Sequence, residues 1–274
     1  MPSATRISLG LISKKVACSM RYDVATALHK GQRDYQEDAV AARCAANRPI
    51  GFAVLADGMG GHAAGDIASA IVVEEMSRSL GDRLEPGEVS DDDIPSILHE
   101  AATSANASIA SYVAQNRDVA GMGTTLIAPV VHEDRLHWIS VGDSPLYVFS
   151  EEGLRQINED HSMAPQIDLM VRTGMMDAET ARNHPDRNCL TSVLMGSAIP
   201  RIDWGKAPVK LVPGDIVIAS SDGLQFLTDE EIQDIVSRLR TESSAVLARA
   251  LVASVESLGD PDQDNISVAV IKIS

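Results

Sequence analysis

The chain has little that could serve sulfur chemistry, nucleic-acid binding or membrane insertion. Its three cysteines, Cys18, Cys44 and Cys189, form no CxxC pair and are odd in number. Neither a zinc site nor a disulfide framework is signalled, and reduced thiols in a cytoplasmic protein are expected. Basic residues are short as well: 23 Lys and Arg stand against 39 Asp and Glu, a net charge of −16. That balance argues against nucleic acid or an anionic membrane as a partner, because affinity for either rests on basic contacts. No apolar run is long enough to span a membrane. At the start, Ile7–Ile12 is short and is followed by Lys14 and Lys15, the wrong order for a secretory signal. Residues 1–20 are therefore expected to be a flexible leader or a first edge strand. Repeats and low-complexity linkers are absent, so residues 21–274 are expected to form one domain. The two tryptophans, Trp138 and Trp204, have no stacking pattern around them and read as core or sheet-face residues.

What is present is a set of Val- and Ile-rich runs of strand length, bounded by Gly, Pro, Asp or Ser. They are Ile50–Ala56, Thr124–Val131, Leu136–Val141, Leu146–Ser150, Ile216–Ser220 and Ile266–Ile273. Helical patterns cover Ala63–Leu84, Asp91–Asn116, Asp229–Leu239 and Ser243–Leu258. Because the helices come in blocks and do not follow every strand, an α+β fold with antiparallel sheets is favoured over a doubly wound parallel one. The stretch Met163–Asn188 joins a short helical pattern to an irregular polar segment, as lids and binding loops often do.

Four aspartates share one setting, beside the ends of apolar strands: Asp57, Asp143, Asp222 and Asp264. Any single Asp-Gly pair reads first as a turn. Four carboxylates at the ends of neighbouring strands would repel one another unless a cation neutralised them. Oxygen donors without paired Cys or His select hard ions such as Mg²⁺, Mn²⁺ or Ca²⁺. The Gly58 carbonyl, on an open backbone, is a further candidate donor. Upstream, Gly31-Gln32-Arg33-Asp34-Tyr35-Gln36-Glu37-Asp38 combines a guanidinium able to grip a phosphate with carboxylates that could face metals. The bland reading of that stretch is a charged surface turn. Asp91-Asp92-Asp93 starts a helix and is not a calcium loop, since no Asp-x-Asp-x-Asp-Gly pattern follows.

Seven blocks fall in order: Arg33-Asp34-Tyr35-Gln36-Glu37-Asp38, Ala56-Asp57-Gly58-Met59-Gly60-Gly61-His62, Gly121-Met122-Gly123-Thr124-Thr125, Val141-Gly142-Asp143-Ser144, Asp160-His161-Ser162, Ser221-Asp222-Gly223 and Asp264-Asn265. From about Arg21 onward the series resembles the PPM, or type 2C, metal-dependent protein serine/threonine phosphatases, in particular their compact bacterial branch. The resemblance implies a four-layer αββα sandwich, two antiparallel sheets flanked by helices, with a binuclear Mn²⁺ or Mg²⁺ centre at one end. Carried over residue by residue, Asp57 matches the carboxylate bridging two metals, with the Gly58 carbonyl on one of them. Asp222 and Asp264 match ligands of the other. Glu37 and Asp38 match acidic positions acting through metal-bound water. Arg33 matches the phosphate-binding arginine, and Asp143 a ligand of a third, weaker metal. A metal-activated water would then attack phosphoserine or phosphothreonine directly. The absence of a Cys-x5-Arg signature speaks against thiol-based phosphatases.

The chain departs from the family pattern at Gln36, at His29 and at Pro145, which replaces an often-present arginine and lacks an N–H. His62 is open between a helix cap and a proton donor, and a metal-bound water could serve as donor instead. Thr124 and Thr125 read as structural. Two other classes make different demands on the sequence. A non-catalytic, phosphatase-like regulatory or binding domain would be supported by loss of Asp57, Asp222 or Asp264, and all three are present. An unrelated two-metal nuclease would call for a basic surface. The expected partners are phosphorylated Ser/Thr proteins, a cognate Ser/Thr kinase or its substrates, with no nucleic acid and no membrane. The compact length suggests a stand-alone enzyme. Residues 163–188 are expected to form a mobile flap beside the metals, whose Arg172, Arg182 and Arg187 offset the chain's repulsion of phosphoproteins.

Overall fold

The computed structural model describes residues 21–45, 48–60, 64–85 and 89–274. The expected leader or edge strand at 1–20, and His62, lie outside the described residues. In chain order the elements are β1 (Tyr22–His29), β2 (Asp38–Cys44), β3 (Ile50–Met59), α1 (Gly65–Leu84), α2 (Ile94–Gln115), β4 (Gly123–Thr124), β5 (Leu126–His132), β6 (Arg135–Val141), β7 (Leu146–Ser150), β8 (Gly153–Gln156), α3 (Ala164–Arg172), α4 (Ala178–Arg182), β9 (Asp203–Trp204), β10 (Val209–Lys210), β11 (Ile216–Ser220), α5 (Asp229–Arg238), α6 (Ser244–Glu256) and β12 (Ile266–Ile273).

Period-2 alternation divides each central strand between two cores. On β3, Phe52, Val54 and Ala56 face α1 and α2, while Ala53 and Leu55 face the opposite sheet. On β12, Ile266, Val268 and Val270 face α5 and α6, while Ala269, Ile271 and Ile273 point inward. Three apolar layers therefore separate four layers of structure. One sheet has the order β1-β12-β11-β7-β8 and the other β10-β6-β5-β3-β2, with β4 on β3 and β9 on β6. All pairings are antiparallel. The expected α+β sandwich is the observed one.

Five strands lie outside the apolar runs of the sequence: β1, β2, β8, β9 and β10. β1 and β2 are only half buried and lack an obvious apolar run, yet β1 pairs with β12 over its full length and β2 with β3. The expected strand at Thr124–Val131 is broken at Thr125, between β4 and β5. β3 runs three residues past Ala56, so Asp57 lies within the strand, opposite Asp38. Trp138 is buried between the sheets, whereas Trp204 is exposed on β9, edge-on to His99.

The antiparallel registers decide where the acidic residues meet. Asp38↔Asp57, Leu126↔Val141, Ser220↔Val268 and His29↔Ile266 all lie at one rim of the sandwich. Residues more than two hundred positions apart in the chain thereby share one edge.

Candidate metal and phosphate site

At that rim a cavity of about 330 Å³ is lined by Arg33, Glu37, Asp57, Gly58, Asp143, Asp222 and Asp264, with Thr125, Asn188, Leu190 and Asn265 among the remaining walls. Seven of the eight residues singled out from sequence meet here. The eighth, Asp38, is buried behind the cavity wall, where the Ser221 hydroxyl donates to its Oδ2 at 2.7 Å.

Local structure explains why the acidic groups stay in place. The Asn265 side chain accepts the Glu37 N–H at 2.7 Å and donates to the Lys30 and Tyr35 carbonyls at 2.7 and 3.0 Å. The loop from β1 to β2 is thus tied to the start of β12, and Glu37 and Asp264 are held side by side. The Gly58 N–H donates to the Glu37 carbonyl at 3.1 Å. A side chain on Gly58 would collide with the Glu37 and Gly65 backbones, so glycine is required by this close approach. Asp57 is gripped through its backbone: its N–H donates to Thr125 Oγ1 at 3.0 Å, and its carbonyl accepts the Thr124 hydroxyl and the Thr125 N–H at 2.8 and 2.9 Å.

The electrostatics are those of an uncompensated carboxylate cluster. Burial raises Asp57 well above the ordinary carboxylate range, and Asp38, Asp222 and Asp143 push it further. Asp38 is raised to about 7, mainly by burial, against the opposing bond from Ser221. Burial, and then Asp222 and Asp160, raise Asp143 to about 7 as well. Burial and the neighbouring Asp264 raise Asp222. Glu37 is raised by burial and by Asp66. Asp222 Oδ1 is buried without a hydrogen-bond donor, and the Asp57 carboxylate is its neighbour. Only a shared proton or a cation makes such a pair favourable. Among the described residues no three acidic or histidine side chains close around a single point. Asp264 takes a 2.5 Å bond from Arg33 Nη2. The donor set is all oxygen, which fits a hard divalent ion such as Mn²⁺ or Mg²⁺.

At the departures from the family pattern, the structure shows local substitutes. Gln36 Oε1 accepts the Asp38 N–H at 3.0 Å. His29 Nε2 pairs with Glu256 at 3.0 Å and is not among the cavity walls. Pro145 stands just before β7, and its carbonyl takes the Ser220 N–H at 3.1 Å. Residues 163–188 fold into α3 and α4, and the isolated bridge Ser162↔Leu190 staples the two ends of this excursion together. Asn188 and Leu190, at its return, line the cavity. Arg187 makes two bonds to Asp168 at 2.7 and 3.2 Å, so its charge is already matched. From sequence Thr125 reads as structural, and Ser144 and Asn265 carry no assigned role. Their only signal was membership of the ordered motif blocks.

A two-sheet sandwich carrying oxygen donors and an arginine around one rim cavity defines a scaffold for metal-dependent phosphoester hydrolysis. Residues 26–260 match the family Protein phosphatase 2C. The chain is 32% identical over 227 residues to the serine/threonine phosphatase stp of Listeria monocytogenes, covering 82% of this chain and 85% of that one. It is 33% identical over 216 residues to the serine/threonine protein phosphatase PstP of Mycobacterium tuberculosis, covering 78% of this chain and 39% of that longer one. Among solved structures, the Mycobacterium tuberculosis PstP/Ppp phosphatase superposes with a TM-score of 0.75 at 32% identity, covering 93% of this chain and 98% of that one. A PstP catalytic domain solved with two manganese ions gives 0.72 at 31% identity, covering 93% and 98%. The chain belongs to the protein phosphatase 2C family and is a metal-dependent protein serine/threonine phosphatase.

Proposed function

We propose that Asp57, Asp222, Asp264 and the Gly58 carbonyl hold two divalent ions, Mn²⁺ or Mg²⁺, with Glu37 and Asp38 acting through ion-bound water. The observation that carries this assignment is the buried, mutually repelling Asp57–Asp222 pair on the cavity wall, with Asp222 Oδ1 left without a hydrogen-bond donor. When bound, such ions lower the pKa of a coordinated water and offset phosphoryl charge. Arg33 is more than half exposed and bonded to Asp264. In this reading it exchanges that partner for the substrate phosphate, which a guanidinium can grip with two parallel bonds. Asp143, raised to about 7 beside Asp222, is proposed as a ligand of a third ion. Asp38 is a positioning group: Ser221 orients it, and it faces Asp57 across the β2–β3 ladder.

Residues 21–274 act as one catalytic domain in this reading, with the excursion at 163–188 as its flap. The substrates are phosphorylated Ser/Thr proteins, and a cognate Ser/Thr kinase or its targets, in a cytoplasmic setting, are the proposed partners. Among the described residues no helix is long and apolar enough to cross a membrane. The test is turnover of a phosphothreonine peptide by metal-stripped protein, with Mn²⁺ or Mg²⁺ added back. Activity should return with the ion and should be nearly abolished in Asp57→Asn and Asp222→Asn. Full turnover in excess EDTA, or wild-type rates in either variant at saturating Mn²⁺, would overturn the ligand assignment.

A further inference from the structure

Thr125 stands in the break between β4 and β5, is almost wholly buried, and still contributes to the cavity wall. Its hydroxyl is engaged twice. Oγ1 accepts the Asp57 N–H at 3.0 Å and shares a 2.7 Å hydrogen bond with Ser144 Oγ. An oxygen that accepts from Asp57 can still donate its own proton to Ser144, so the two bonds are compatible. Its methyl group faces the Gly142 backbone: a side chain built on Gly142, at φ +105°, would meet Thr125 Cγ2 at 2.6 Å. Ser144 is itself fixed, because the Asn158 amide donates to its carbonyl at 3.0 Å. One side chain therefore joins the Asp57 strand to the Gly142-Asp143-Ser144 turn by a hydroxyl on one side and a methyl on the other.

We propose that Thr125 is a positioning residue for metal binding: its hydroxyl, locked by Ser144, sets the Asp57 carboxylate and couples it to the Asp143 turn. The inference rests on the reading of Asp57 as a metal ligand. Carboxylates that repel one another drift apart unless the backbone beneath them is fixed, and a divalent ion needs its donors within a few tenths of an ångström. Thr125→Val keeps the shape and removes the hydroxyl, leaving the Asp57 N–H and the Ser144 hydroxyl short of a partner. Thr125→Ser keeps the hydroxyl and removes the methyl.

The decisive measurement is Mn²⁺ binding to metal-stripped protein by titration calorimetry, alongside the melting temperature of each metal-free variant. Thr125→Val should weaken Mn²⁺ binding about tenfold or more, the scale of one buried hydrogen bond left unmade. Ser144→Ala should weaken it less, and Thr125→Ser should stay within about threefold of wild type. Rescue by serine separates a hydroxyl that positions from a side chain that only fills space. If Thr125→Val lowers the metal-free melting temperature but binds Mn²⁺ as tightly as wild type, Thr125 is merely structural and the proposal fails. Asp57→Asn is measured beside it. Undiminished Mn²⁺ binding there would remove the ligand assignment itself, an outcome distinct from failure at Thr125 alone.

Discussion

Arg33 and Asp264 bring two roles into one contact. The guanidinium neutralises a carboxylate that the proposed site needs as a donor. An ion arriving at Asp264 and a phosphate arriving at Arg33 each remove the other's partner, so the two events should favour each other. Arg33→Ala should accordingly lower kcat/KM for a phosphopeptide roughly ten- to a hundredfold, the worth of a charge-assisted bidentate contact. The loss should fall mainly on KM, because the ions still supply the nucleophile. Steady-state kinetics at saturating Mn²⁺ check this, and an unchanged kcat/KM would place the phosphate elsewhere. Asp38 illustrates a different residue-scale lesson. Its neighbour Glu37, in the loop before β2, reaches the cavity, whereas Asp38 opens β2 and is buried against the Ser221 hydroxyl.

At the scale of elements, the 163–188 excursion is stapled at Ser162↔Leu190 and braced inside by Arg187 on Asp168. Bracing uses one of its three arginines, leaving the exposed Arg172 and Arg182 as the cations available to an incoming phosphoprotein. Replacing both by glutamine should slow dephosphorylation of a phosphoprotein several-fold while leaving para-nitrophenyl phosphate hydrolysis unchanged. Equal losses on both substrates would point to the metal centre instead.

The start of α2 is pinned to the β5–β6 hairpin by one carboxylate. Asp91 Oδ1 lies 2.9 Å from His132 Nδ1 and 3.2 Å from His137 Nε2, and Arg135 donates to Oδ2 at 2.6 Å. Burial holds His137 below its ordinary value of 6.5, even with Asp91 pulling the other way. Partial burial works to raise Asp91, but the bonds from His132, Arg135 and His137 outweigh it and leave it below 3.8. Both shifts act in one direction. Between its folded and unfolded values each group binds more protons in the unfolded chain, so stability rises with pH there. The protein should thus lose stability as pH falls below 6.5, through His137, and again below 3.8, through Asp91. His137→Asn should flatten the first of these losses in melting curves recorded between pH 7.5 and 5.0. A slope identical to wild type would remove His137 from the account.

For the whole molecule, the relevant quantity is a net charge of −16 combined with a buried acidic rim. Self-repulsion of this kind weakens the metal-free fold, and ions that bind only the folded chain reverse it. Mn²⁺ should raise the melting temperature with the logarithm of its concentration above Kd, by about 2.7 kcal/mol of stability per site at a hundredfold excess. The shift should vanish in Asp57→Asn. Calorimetric melts with and without Mn²⁺ test both statements, and an equal shift in the variant would place the ion elsewhere.

Much of this protein was legible before any coordinates. Val- and Ile-rich runs marked β3, β5, β6, β7, β11 and β12, because strands buried on both faces need apolar residues almost continuously. Helices in blocks gave the α+β class, and the ordered acidic motifs gave seven of the cavity's walls. The strands β1 and β2 stayed hidden, because half-buried edge strands carry weak hydrophobic patterns and are defined by the neighbour they pair with. Tertiary structure alone decided three further things: that Asp38 sits behind the wall, that Arg33 rests on Asp264, and that Thr125 joins Asp57 to Ser144. A sequence records which groups are present and in what order along one strand. Antiparallel register fixes which groups meet across strands, and that depends on packing two sheets and four long helices together.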